Sequence, residues 1–430
     1  MAAPIEVVVS SEISGQMWNS CVWDPHNGTT LTTYKGGSSA PRTLGFLGKD
    51  YIISGVNNHP LIHVWALHRQ EQQQMRIVCP GLVTALATSP CGNYCAAGIA
   101  ERLHVWHVST GKLVAILSRH YQNITCLKFT DDGSCLISGG NDSLVLVWSM
   151  ASILQSHSGI SARLEPMYVW SNHSLPVTDI YCGCGGLLAR VVSSSLDQTC
   201  RLWDLSSGQE LCCFVYDVSI TSVTMDTAEY RLFAGGINGS IYQINLFSQA
   251  EVKGRVVISE SETTDDEGKT QTFVRHSKQV NCLSVSIDGT MLLSGSHDCT
   301  VVLWDIASRQ CIRVLNHKGI VTNAMFTQAP IQMFSTVNKT AMPIKPFQRS
   351  SQTDSDGKTH SLDMRIKHSI QLESEDMSVT QRRLQECLQG MTDTDRVTTS
   401  QLQEECRQLQ TANKNLFKFA VKELLTHSQS

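Results

Sequence analysis

The sequence predicts an all-β, seven-bladed propeller followed by a linker and a C-terminal α-helical coiled-coil segment. Three observations carry that prediction. First, seven strand-like apolar runs stop at equivalent positions, Trp23, Trp65, Trp106, Trp148, Trp203, Ile244 and Trp304, with gaps of 42, 41, 42, 55, 41 and 60 residues. A period near 40 with a tryptophan stop is what four-stranded propeller blades leave in a sequence. Second, polar residues recur at fixed offsets from the tryptophan. Third, the pattern ends near residue 337 and a heptad of leucines follows it.

The repeat ending at Trp304 shows the elements in order. His276 precedes a strand over 280–286, and Ile287-Asp288-Gly289 makes a tight turn, because glycine takes positive φ without steric cost. A second strand starts at Met291, Asp298 sits in the next turn, and a third strand runs to Trp304. The runs between turns are β-branched and apolar, as strands covered on both faces should be.

Three repeats share one polar set: His120/Ser138/Asp142/Trp148, His173/Ser193/Asp197/Trp203 and His276/Ser294/Asp298/Trp304. In each, serine leads aspartate by four residues and aspartate leads tryptophan by six. His, Asp and Ser together suit a catalytic triad. A set that recurs in three repeats, each beside an indole N–H that needs a partner when buried, reads instead as structure. The repeats ending at Trp23, Trp65 and Ile244 read as degenerate, and Ala66, His107 and Ser149 replace the aspartate that often follows the tryptophan.

Ring closure is also legible. After Trp304 come strands over 311–315 and 320–326, with no further tryptophan-ending strand, while the N-terminus offers strands over 5–9, 18–23 and 29–34. Joined in one blade, the two ends complete a closed ring over residues 1–337 without exposed sheet edges. The two long gaps fall between third and fourth strands, at about 151–165 and 247–272, on the face opposite the His and Asp turns. Both are expected to be loops, and residues 259–267 form an acidic, hydroxyl-rich run open to phosphorylation.

Residues 338–378 are poor in large apolar side chains and read as linker, and 379–426 read as helical. Leu402, Leu409 and Leu416 are seven apart, with Thr399, Cys406, Asn413 and Ala420 at the complementary heptad positions. That is a coiled-coil seam with a buried amide placed to fix register. The helix either pairs with its own copy as a homodimer or folds back on the propeller.

Composition sets further limits. The net charge of −4 supplies no broad basic face for duplex nucleic acid, which leaves direct RNA contact through a local patch without support. Sixteen cysteines are scattered through the repeats without a CxxC pair, so a reducing compartment is expected and neither metal nor cofactor. No apolar stretch is long enough to span a membrane. Gly268-Lys269-Thr270 and Gly357-Lys358-Thr359 resemble the end of a phosphate loop, but Thr263 and Gln352 stand where its leading glycine belongs. No HExxH or GxSxG occurs, and the chain is expected not to be an enzyme.

The tetrads resemble those of WD-repeat proteins, where Asp, His, Ser and the indole tie each loop to its blade. A more specific resemblance lies in the degenerate segments. These are Met17-Trp-Asn-Ser-Cys-Val-Trp-Asp24, Leu31-Thr-Thr-Tyr-Lys-Gly36, Leu117-Ser-Arg-His-Tyr-Gln122, Asp217-Val-Ser-Ile220, Val223-Thr-Met-Asp226 and Gly239-Ser-Ile241, together with the helical tail. Over nearly the whole chain they resemble the propeller subunits of the Rix-type ribosome-assembly complex. That resemblance implies a nuclear and nucleolar scaffold that works with a helical-repeat partner to mature the large (60S) ribosomal subunit. It implies support of internal-spacer processing of pre-rRNA, recruitment of the AAA-type ATPase midasin to pre-60S particles, pairing through the C-terminal helix, and no catalytic residues. A cytoplasmic adaptor in dynein assembly or a ubiquitin-ligase substrate receptor is the alternative. An arginine after the Trp-Asp dipeptide would favour the ligase reading, whereas Leu205 and Ile306 stand there.

Overall fold

Seven antiparallel sheets of four strands arise from the repeats, one of them extended by a fifth strand. This computed structural model describes residues 6–15, 20–69, 73–156, 164–246, 254–258, 271–330, 333 and 343–349. Each sheet is a blade whose strands run a, b, c, d. Blades 2 to 7 follow the chain, beginning with strand a at Ser39–Leu47, Val83–Thr88, Ile124–Phe129, Val177–Cys182, Ile220–Met225 and Val280–Val285. Blade 1 is built from both ends: Val321–Gln328 supplies strand a, and Glu6–Glu12, Ser20–Trp23 and Thr30–Tyr34 supply b, c and d. Val8 pairs with Phe326 on one side and Trp23 on the other, so strand b is the splice between the termini. The a strands touch their neighbours all the way round, including Val321–Gln328 against Ser39–Leu47, which closes the ring.

Blade faces cover one another, and this explains why the strands lack the alternation of a half-exposed sheet. Tyr51–Val56 and Cys135–Gly140 are buried at every position. Each core cluster straddles a seam: Trp203 of blade 5, for example, packs with Ile137, Val147 and Trp170 of blade 4.

The seams also carry a recurring hydrogen bond near the start of strand a. Thr84, Thr125, Thr178 and Thr221 each donate Oγ1–H to a carbonyl of the next blade, at Ile124, Val177, Ile220 and Val280, over 2.6 to 2.8 Å. Asn281 and Asn323 do so through Nδ2–H to Val321 and Ala40. Thr43 of blade 2 departs from the rule. It bonds the Gly55 carbonyl of its own blade, and its second acceptor is Ala40 of its own strand rather than a group on blade 3.

Three expectations are corrected. The insertion over 247–272 is not loop throughout, because Gly254–Ile258 is a strand lying parallel to Glu210–Tyr216, the d strand of blade 5. Ile258 is buried against Tyr216 and Ile220, so apolar side chains inside the insertion cover a sheet edge that would otherwise face water. Nor are residues 343–349 free linker, since Phe347 is buried between blades 2 and 3 against Trp106, Ile77 and Leu113. The insertion over 151–165 opens with a helix, Met150–Ser156, which buries Met150 and Ile153 against blades 3 and 4. The acidic run 259–267, the rest of the proposed linker and the whole seam of Leu402, Cys406, Leu409, Asn413, Leu416 and Ala420 lie outside the described residues.

Candidate functional site

Four residues meet in each tetrad because the offsets put His in the loop before strand a, Ser on strand b, Asp in the b–c turn and Trp at the end of strand c. In blade 4, His120 Nδ1 lies 2.9 Å from Asp142 Oδ2 and Nε2 lies 2.9 Å from Ser138 Oγ, which accepts the Trp148 indole N–H over 3.1 Å. Blade 5 repeats this with His173, Asp197, Ser193 and Trp203 at 3.0, 2.8 and 2.9 Å. Blade 7 repeats it with His276, Asp298, Ser294 and Trp304 at 2.8, 2.7 and 2.8 Å. The carboxylate accepts from Nδ1–H, which leaves Nε2 to accept the serine O–H. Each aspartate also accepts the backbone N–H that follows the histidine, at Tyr121, Ser174 and Ser277, and so ties two loops together.

A triad needs a serine oxygen open to substrate. Here all three serines are fully buried, and the lone pair a nucleophile would use already accepts an indole N–H. Geometry therefore assigns these sets to holding loops on blades.

A fourth, partial set, hidden from the spacing, occupies the closing blade, and the Trp23 repeat is degenerate in that glutamate replaces aspartate and neither His317 ring nitrogen has a hydrogen-bond partner among the described residues. Trp23 donates its indole N–H to Ser10 Oγ over 2.8 Å. Glu12 stands in for the aspartate and accepts the N–H groups of Lys318 and Gly319, both at 3.0 Å, with His317 Nδ1 3.7 Å away. One signal could have found it: His317 precedes its a strand by four residues, as the tetrad histidines do.

These carboxylates are tuned toward the charged state. Burial pushes Glu12 up, but the neighbouring His317 and hydrogen bonds from Ser14 and Gly319 outweigh it and hold the carboxyl at about 2. Asp298 is likewise raised by burial, yet Thr300, His276 and Ser277 bring it below the usual range, and Asp142 behaves in the same way. Burial lowers His276, against the opposing pull of Asp298. Groups whose folded pKa lies below the unfolded value stabilise the fold above the unfolded value and lose that contribution as pH falls. The melting temperature should therefore begin to drop below about pH 6.5, the unfolded histidine value, as the unfolded chain takes up a proton that folded His276 resists, and fall further between about pH 4.5 and 2 as the carboxylates protonate. Asp298→Asn should flatten the lower limb while costing about 1–3 kcal/mol at neutral pH. Thermal melts from pH 8 to 2.5 measure both, and an unchanged lower limb would count against the network.

The tryptophans that end strand c in blades 2 and 3 find backbone acceptors instead. Trp65 donates to the Lys35 carbonyl and Trp106 to the Gln348 carbonyl, both at 2.8 Å. Blade 3 has Ala96 and Ala100 where a tetrad has Ser and Asp, so nothing in its own blade fills that role.

Across the central channel, Arg42 of blade 2 donates to the Thr221 carbonyl at 2.6 Å, and its Nε lies 3.3 Å from Asp179 of blade 5. A positive φ of 54° at Arg42, inside an irregular stretch between Ser39 and Leu44, directs it there. The adjoining cavity of about 170 Å³ includes Cys126 and Cys282, whose thiols burial pushes up to about 12, so they stay protonated. Among the described residues no group of three or more His, Cys, Asp or Glu could hold a metal ion, and no helix is long and apolar enough to cross a membrane.

What the arrangement offers is a rigid surface. The a–b turns interlock: Asp131 accepts the N–H groups of Gly185 and Gly186 on the next blade, and Thr227 donates to the Ile287 carbonyl. Beside them Leu187, Leu188, Tyr230 and Ile287 present exposed apolar side chains along blades 5 to 7.

The WD domain, G-beta repeat, matches residues 111–149, 164–204 and 268–305, which hold the three tetrads found from spacing. WD repeat-containing protein 18 of Homo sapiens is 44% identical over 98% of this chain and 98% of its own length. Its Danio rerio counterpart is 43% identical over 99% of each chain. Pre-rRNA-processing protein IPI3 of Yarrowia lipolytica is 30% identical over 76% of each chain. With identity of that order over nearly the whole of each chain, the chain belongs to the WD repeat-containing protein 18 family.

Proposed function

We propose that this chain is a non-catalytic scaffold in the maturation of the large ribosomal subunit, working in the nucleus and nucleolus. The observation that carries the reading is full-length similarity to WD repeat-containing protein 18, extended by similarity to a pre-rRNA-processing protein. The rigid ring and its interlocked turns suit a platform, and the tetrad serines are closed to substrate. In this reading a helical-repeat scaffold protein docks on the propeller, and the pair supports processing of the internal spacer of pre-rRNA and brings the AAA-type ATPase midasin to pre-60S particles. The heptads around Leu402, Leu409 and Leu416 pair two copies of the chain.

The test is purification of the tagged full-length protein from nuclei, with partners identified by mass spectrometry. A helical-repeat scaffold, midasin and large-subunit ribosomal proteins are the expected set. Cullin adaptors or dynein assembly factors in their place would overturn the reading. Leu409→Pro, a change costing about 3 kcal/mol in a helix interior, should halve the mass in light scattering and leave the propeller melt unchanged. A wild-type monomer at tens of micromolar would dispose of the homodimer.

A further inference from the structure

The seam between blades 2 and 3 lacks a device found at all six other seams and two more found at only some of them. Its Thr43 does not reach across to the next blade. Blade 3 has alanines in place of the tetrad Ser and Asp. The third device is aromatic: Trp203 stacks on Trp170, and Trp304 meets Phe273, each from the d strand of the preceding blade. The d strand of blade 2, Gln73–Val78, has no aromatic residue to offer Trp106.

Residues 343–349 supply what is missing. Phe347 stacks on Trp106 with ring centroids 5.1 Å apart and planes 15° from parallel, and it is only 6% exposed. The Gln348 carbonyl accepts the Trp106 indole N–H at 2.8 Å, and the Gln348 N–H donates to the Gly111 carbonyl at 2.8 Å. Leu113 N–H donates to the Gln348 side-chain oxygen, and Ile344 packs alongside. Gly111 sits at φ +70°, and a Cβ there would collide with the Pro346 carbonyl, so the turn is shaped to let this backbone approach.

These contacts have the form of peptide recognition, with main-chain hydrogen bonds for affinity and one aromatic anchor for selectivity. We propose that the groove between blades 2 and 3 is a peptide-binding site whose resident ligand is the chain's own segment 344–349, held exchangeably and specific for an aromatic residue between proline and glutamine. Fifteen residues lie between Gln328, the end of strand a, and Ile344. A tether of that length gives an effective concentration on the order of 1 mM, so the resident segment should exclude a free peptide of the same sequence.

The experiment uses full-length protein and a fluorescein-labelled peptide of residues 342–350, Met-Pro-Ile-Lys-Pro-Phe-Gln-Arg-Ser. Phe347→Ala protein should bind the peptide at least about tenfold more tightly than wild type, because its own ligand has lost the anchor. A peptide with alanine for phenylalanine should bind neither protein. Equal binding to both proteins, or binding to neither, would overturn the proposal. Should Phe347→Ala fail to fold, hydrogen exchange on the wild type decides the matter. A Gln348 amide protected by about a hundredfold or more, yet released well below the free energy of global unfolding, is the expected result. An unprotected amide, or one that opens only with the whole ring, refutes an exchangeable ligand.

Discussion

Removing residues 1–12 is expected to unfold all seven blades rather than one. Glu6–Glu12 lies between Val321–Gln328 and Ser20–Trp23, hydrogen-bonded to both, so its loss opens two sheet edges and the ring together. The same deletion removes Ser10 from Trp23 and Glu12 from the Lys318 and Gly319 N–H groups, leaving buried donors unpaired. Circular dichroism should show no cooperative melt. A truncated protein melting within a few degrees of wild type would show that the splice is dispensable. Val8→Asp is the graded version: a charge at a fully buried position with apolar neighbours on both strands should cost about 4 kcal/mol or more.

Trp203→Ala should cost about 3–5 kcal/mol, the range for deleting a large buried aromatic side chain. Its ring stacks on Trp170 with centroids 4.5 Å apart and planes 4° from parallel, and its indole N–H completes the chain to Ser193 and His173. Trp203→Phe keeps an aromatic face and loses only the N–H, so it should cost about 1–3 kcal/mol. Urea melts of the two variants separate the packing contribution from the hydrogen bond. Equal costs would mean that the stack contributes nothing.

The ring and its three tetrads were legible because their causes are local. A hydrogen-bonded set spanning a d–a loop, strand b and the b–c turn of one blade requires fixed offsets along the chain, and those offsets survive in the letters. The partial set in blade 1 keeps the indole–serine bond and the carboxylate on the loop N–H groups, but it is divided between residues near 10 and near 317, with glutamate for aspartate. No window of about forty residues contains it, so its remaining bonds were hidden from the spacing.

What the sequence determined by itself is the period, the blade count, the turns and the splice of the two ends, each set by short-range geometry and the need to bury both faces of every sheet. Only the tertiary structure decided that Gly254–Ile258 covers the edge of blade 5, that Arg42 crosses the channel to Asp179, and that Phe347 completes the seam at Trp106. The reason is common to all three. Each contact joins residues that become neighbours only after the ring has closed, and each answers a local deficit (an open edge, an unfilled channel, an indole without an acceptor) that can be met from any part of the chain able to reach it.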